Sequence, residues 1–107
     1  MKKPVRLQLS RKKGFNLQRL SVETNGLSAV VVSRPSKWGN PFPIRGILKF
    51  NREQSIKFFR RWLLMSNNSE AMTLLYSLDE LKGKNLACFC KLREKCHADV
   101  LLKIAND

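Results

Sequence analysis

The apolar positions of this chain change period several times, and each change marks an element. In PVRLQLS (4–10), Val5, Leu7 and Leu9 alternate with Arg6 and Gln8, the period-two pattern of a half-buried strand. RKKGFN follows, and Gly14 and Asn16 give it the character of a loop. SAVVVS (28–33) is a short β-branched run that reads as a more buried strand. The next ten residues, RPSKWGNPFP, contain Pro35, Pro41, Pro43 and Gly39, which excludes helix and regular strand there.

From residue 51 the period lengthens to that of a helix. Asn51 is suited to cap it, with Gln54 at the capping-box position. Ile56, Phe59 and Leu63, flanked by Phe58, Trp62 and Met65, form a broad apolar face, and Glu53 and Lys57 are spaced to pair on the exposed side. SNNS (66–69) interrupts the helix. Ser69 can cap a second one, whose buried face is Leu74, Leu75, Leu78 and Leu81, and Gly83 ends it. NLACFC then reads as a strand, and HADVLLKIA as a final helix apolar nearly all round. The predicted order is β-β-α-α-β-α: one small α/β domain over residues 1–107, a short sheet with three helices. Residues 1–19 form its basic N-terminal strand and arm.

Charge changes the picture by adding a partner. The chain of 107 residues carries a formal net charge of +13, unevenly distributed. Residues 1–52 hold twelve Lys and Arg against the single acid Glu23, whereas residues 53–107 hold nine against seven acids. A surplus confined to one half implies a polyanion-facing surface, most often for nucleic acid or a nucleotide; an acidic host protein is the rival partner. Arg11, Lys12 and Lys13 are the densest run. No apolar stretch reaches the length of a membrane span or a signal peptide core, so the expected location is cytoplasmic and no membrane partner is expected.

All three cysteines and the only histidine fall within ten residues, as Cys88, Cys90, Cys96 and His97. An odd count is poor for a disulfide scaffold, and in a reducing compartment such a cluster implies metal or reactive thiols. Strand alternation points Leu86, Cys88 and Cys90 one way and Ala87 and Phe89 the other. Cys96 and His97 stand at the start of the last helix, where free N–H groups, the helix dipole and Lys91, Arg93 and Lys95 favour a thiolate. Three thiolates and an imidazole make a legal zinc set, although Cys-x-Cys is tighter than the usual knuckle. Alternatively Cys96 or Cys90 is a nucleophile, with His97 as acid/base and Cys96 the more reactive thiol. Cysteine is also among the most buried residue types, so plain packing is the third reading.

The RPSKWGNPF loop offers Arg34 and Lys37 as charges, an exposed Trp38 as an aromatic plane, and Asn40 as an amide able to read a base or ribose. In the opposing reading Trp38 and Phe42 plug the core. Ligands of open α/β sheets sit outside the carboxyl ends of the strands. If strands 28–33 and 84–90 run parallel, Arg34, Lys37, Trp38 and Asn40 face Cys90, Cys96 and His97 across one cleft.

These two stretches resemble the marks of a small domain family of unknown function found in phage and bacterial proteins. Its motifs are Arg-Pro-Ser/Thr-Lys-Trp-Gly-Asn-Pro-Phe and, later, Gly-Lys-x-Leu-x-Cys-Trp-Cys…Cys-His-Ala/Gly-Asp-Val-Leu. Here they stand as RPSKWGNPF (34–42) and GKNLACFCKLREKCHADVLL (83–102). Phe89 replaces the usual tryptophan, and KLREK is a charged spacer where a proline-containing one is common. The resemblance implies a phage-type context and that both motifs belong to one unit, and it carries no settled activity. The expected function is therefore nucleotide or nucleic-acid binding in a composite cleft. Its rivals are a cysteine/histidine-dependent enzyme on a nucleotide-type substrate and a phage inhibitor of an acidic host protein.

Overall fold

The computed structural model describes residues 3–42 and 50–107, so Pro43 of the proline-rich stretch lies outside the described residues. The elements are β1 (Arg6–Gln8), α1 (Leu17–Asn25), β2 (Ala29–Val31), α2 (Arg52–Met65), α3 (Ser69–Tyr76), a 3-10 turn (Leu78–Glu80), β3 (Asn85–Cys88) and α4 (His97–Asn106). Among the described residues there are thus four α-helices and one 3-10 turn rather than three helices, and the β-β-α-α-β-α order is wrong. The missing element is α1, between the first two strands.

Helix α1 is short and buries no apolar side chain fully: Leu17 and Leu20 are partly covered, and its one buried residue is Ser21. Its ends make it a helix. Asn16 Oδ1 accepts from Arg19 N at 3.0 Å, and Gly26 closes it at φ +79°, a left-handed conformation that glycine adopts without strain. Helix α2 begins with the expected capping box: Asn51 Oδ1 accepts from Gln54 N at 2.8 Å, and Asn51 N donates to Gln54 Oε1 at 3.1 Å. Helix α3 is capped by Asn68, not Ser69, through Glu70 N at 2.8 Å.

The three strands form one parallel sheet in the order β1-β3-β2. Helix α1 covers one face, over a small cluster of Leu7, Ala29 and Ala87. The main core lies on the other face, where Val32, Leu86 and Cys88 meet Phe59 and Leu63 of α2, Leu74 of α3, and Ala98 and Leu101 of α4. Of the apolar positions assigned to these faces, Leu7, Phe59, Leu63, Leu74, Leu78 and Leu81 are buried, whereas Val5 and Met65 are exposed and Leu75 is only partly covered. At the amino end of β3, fully buried Asn85 hydrogen-bonds Ser21 Oγ at 2.7 Å and Asn25 Oδ1 at 2.8 Å, and accepts from Val5 N at 2.9 Å. That polar knot ties α1 and β1 to the central strand. Because all strands point the same way, the loops after β1, β2 and β3 emerge together at the opposite edge.

Candidate functional site

The site lies at that carboxyl edge. A pocket of about 160 Å³ is lined by Arg34 and Asn40 after β2, Arg52, Ser55 and Ile56 of α2, and Cys88, Phe89, Cys90, Lys95, Cys96 and His97. The parallel pairing of β2 with β3 therefore brings both sequence motifs to one cleft. Its volume is well below the ~300 Å³ at the low end for pockets that enclose a whole ligand, so it admits one chemical group.

The three sulfurs form the densest chemistry in the cleft. Cys88, Cys90 and Cys96 Sγ all lie within 4.8 Å of one another, and Cys88 and Cys96 Sγ are 3.0 Å apart. Cys88 is the last residue of β3, a bend at Phe89 and Cys90 returns the Cys90 sulfur to it, and Cys96 arrives as the residue preceding α4. Cys96 N donates to Asp99 Oδ2 at 3.1 Å, which fixes the entry to that helix. Such a group can chelate a metal ion: zinc–sulfur bonds of ~2.3 Å in a tetrahedron separate the sulfurs by about 3.8 Å, within reach of the observed spacing. His97 stands outside this mutually close set. Its Nε2 lies 2.8 Å from Val32 O and its Nδ1 3.6 Å from Cys96 Sγ. Donation from Nε2 to the carbonyl leaves Nδ1 as the free lone pair. Burial holds the imidazole below its ordinary pKa, against the opposing pull of the Val32 carbonyl.

Two arginines embrace the cluster. Arg6 of β1, its side chain only 7% exposed, pairs with Asp99 at 3.0 Å. Arg6 also donates to Leu92 O at 3.0 Å and Glu94 O at 2.6 Å, and points toward Cys88 Sγ at 3.9 Å. Arg52 donates to Cys90 Sγ at 3.5 Å and Lys95 O at 3.1 Å and faces Glu94 Oε2 at 3.4 Å. Hydrogen bonds from Cys88 and Cys96, then Arg52, push the Cys90 thiol far below its usual range. The neighbouring Cys90 sulfur pushes the Cys88 thiol up, and the Cys88 sulfur 3.0 Å away pushes the Cys96 thiol up. Cys88 and Cys96 are each 1% exposed, so the thiol open to reagents is Cys90 rather than Cys96, whose burial outweighs its position at the start of the helix.

The RPSKWGNPF loop divides between the cleft and the core. Arg34 is exposed and lines the pocket. Trp38 is 3% exposed within the main core, which corrects the expectation of an exposed aromatic plane. Asn40 lines the pocket, but its amide is engaged: Nδ2 donates to Ser55 Oγ at 2.9 Å and Oδ1 accepts from Phe42 N at 2.8 Å. Lys37 pairs with Glu80 at 2.8 Å and is not among the pocket residues. Gly39 is required by crowding, because a Cβ there would lie 2.5 Å from Arg34 Cγ. Arg11, Lys12 and Lys13 are exposed in the loop after β1, and the Arg11 guanidinium lies 4.0 Å above the Phe89 ring.

Arg6, Arg52 and Phe89 are the site residues that pattern reading did not single out. Arg52 left one signal: a cation in the first turn of a helix opposes the helix dipole. Arg6 left none, since it occupies an ordinary polar position in an alternating strand. No helix among the described residues is long and apolar enough to cross a membrane. Neither a curated protein nor a solved structure matches the chain. The model of a domain of unknown function, DUF4326, matches residues 9–107, a span that holds both the RPSKWGNPF loop and the cysteine cluster, and the chain belongs to that family.

Proposed function

We propose that this domain binds a nucleotide or nucleic acid along the carboxyl edge of its sheet, with one group of the ligand entering a pocket floored by a zinc–thiolate centre. The observation that carries the reading is one juxtaposition: three sulfurs within 4.8 Å of one another, in a pocket also lined by Arg34, Arg52 and Lys95. Cys88, Cys90 and Cys96 hold the ion, which leaves a fourth position for which His97 Nδ1 is the neighbouring nitrogen donor. Zinc with three thiolates carries a net negative charge, and the N–H groups of Arg6 and Arg52 aimed at the sulfurs offset it. The remaining cations receive phosphate.

The test has two readouts. Protein purified without a histidine tag contains about one zinc per chain, and chelation lowers its melting temperature because metal binding adds to folding free energy. Retention on nucleic acid falls steeply with salt as phosphate contacts release counterions, and neutralising Arg11, Lys12 and Lys13 together flattens that dependence. Metal-free protein that melts identically with and without chelator removes the zinc centre; salt-independent retention removes the polyanion site.

The partly exposed Cys90 sulfur in the pocket, with the Arg52 guanidinium donating to it at 3.5 Å, favours a second reading, a cysteine-dependent enzyme acting on a nucleotide-type substrate. His97 Nδ1 faces Cys96, so the histidine is not paired with that sulfur in the manner of a nucleophile–base dyad. Fast alkylation of Cys90 alone in the protein as purified, with the fold intact, supports the enzyme; protection of all three thiols until metal is removed supports the zinc centre.

A further inference from the structure

The aromatic side chain at the cleft mouth is Phe89, not Trp38. Phe89 follows β3 directly, is 41% exposed and lines the pocket, and Arg11 sits over its ring at 4.0 Å. An exposed ring beneath a guanidinium is a ready π surface, and its surroundings are cationic from three directions. The loop after β1 supplies Arg11, Lys12 and Lys13; the loop after β2 supplies Arg34; the loop after β3 supplies Lys91, Arg93 and Lys95. The only acid in those three loops, Glu94, faces Arg52.

We propose that Phe89 is the stacking platform for an unpaired base of a single-stranded nucleic acid, with Arg11 closing one side of the stack and the surrounding cations holding the flanking phosphates. The proposal rests on the reading that a polyanion lodges at this edge, and it names which one. A duplex buries the faces of its bases and offers nothing to the ring, whereas a single strand presents a π face at every nucleotide. An acidic protein would satisfy the cations but leave the exposed ring unexplained. The pocket admits one group while the cations extend along three loops, which fits an extended strand crossing the rim better than a mononucleotide swallowed whole.

Fluorescence anisotropy with labelled oligonucleotides of about 12 residues, within the span of known single-strand sites, tests this. Wild-type protein binds the single strand more tightly than a duplex of equal length. Phe89→Ala weakens single-strand binding roughly 5- to 100-fold, the loss of one stacked base, and leaves the salt slope unchanged. Phe89→Trp retains affinity, and its emission is quenched by unlabelled oligonucleotide beyond any change seen in wild type. Since Phe89 is exposed, Phe89→Ala is expected to melt like wild type; were it unfolded, the Phe89→Trp quench decides alone. Unchanged affinity in Phe89→Ala, no quench in Phe89→Trp, or equal affinity for duplex overturns the stacking site while leaving salt-sensitive polyanion binding in place. Binding to polyglutamate and to no oligonucleotide at low salt overturns both.

Discussion

Replacing Arg6 with methionine keeps the aliphatic stem and removes every donor that ties the first strand to the cysteine loop. The guanidinium meets Leu92 O at 3.0 Å, Glu94 O at 2.6 Å and Asp99 Oδ1 at 3.0 Å, and reaches Lys91 O at 3.3 Å. Hydrogen bonds to a charged group contribute ~1.5–3 kcal/mol each when shielded, but water rehydrates the exposed carbonyls. Asp99 is 49% exposed, so its ion pair counts for a fraction of a buried one. The Glu94 carbonyl and part of the Asp99 pair remain, for a loss of about 2–4 kcal/mol out of the ~5–15 kcal/mol of a typical domain. For a chain of this size that lowers the melting temperature by roughly 10–20 °C. The damage is expected to be local first: loop 91–95 loosens, Cys88 and Cys96 become accessible, and metal is held less tightly. Arg6→Lys fails almost as badly, because an ammonium cannot fork to carbonyls and carboxylate together. Thermal melts, metal content and mass-spectrometric alkylation of each cysteine read the three effects. A lower melting point with unchanged thiol reactivity would refute the clamp and leave Arg6 as a general stabiliser; no change in any readout would refute the contacts themselves.

Asn85→Ala provides the complementary control, since at the opposite end of β3 it removes the partner of Val5 N–H and one of the partners of the Asn25 amide. It is expected to cost about 2–4 kcal/mol in urea denaturation while the wild-type alkylation pattern of the cysteines persists. Trp38→Ala is expected to cost about 3–5 kcal/mol, as for other large buried aromatics. Trp38→Phe keeps the fold, and its oligonucleotide affinity equals that of wild type; a tenfold loss of affinity in folded Trp38→Phe would restore the binding role that its burial argues against.

The fold was legible where side-chain pattern and end chemistry agreed. Helix α2 announced itself through Asn51, Gln54 and the stripe of Phe59 and Leu63, both now buried. Helix α1 did not, because it lies on the thin cluster of Leu7, Ala29 and Ala87 and turns a serine inward rather than a row of apolar side chains. Its caps, Asn16 and Gly26, were visible in the sequence all the same. The omission hid the sheet's direction as well. Strand alternation says which face is buried but nothing of polarity, whereas a helix between β1 and β2 supplies the crossover that parallel strands need. With α1 recognised, the common edge for the loops follows.

The site was legible as a set of reactive groups but not as an arrangement of supports. The sequence pattern expected Cys88 and Cys90 to converge, and their sulfurs do lie together, although β3 ends at Cys88 and a bend rather than strand alternation carries Phe89 and Cys90 to the cleft. What misled was the composition of RPSKWGNPF, where every unusual residue invites a functional role. Trp38 instead joins the core, and Asn40 fastens the loop to Ser55 of α2. Those two residues hold Arg34 at the pocket, so the loop serves the cleft largely through its buried members. The groups that aim the cysteines act from far along the chain: Arg6 reaches a sulfur 82 residues away and Arg52 one 38 residues away. Spacing rules see neighbours in sequence, and a parallel sheet makes neighbours of its first and last strands. A reactive residue carries its chemistry in its own side chain, whereas a supporting residue acquires its role only from the topology, which is why the ligands could be named before the arginines that steady them.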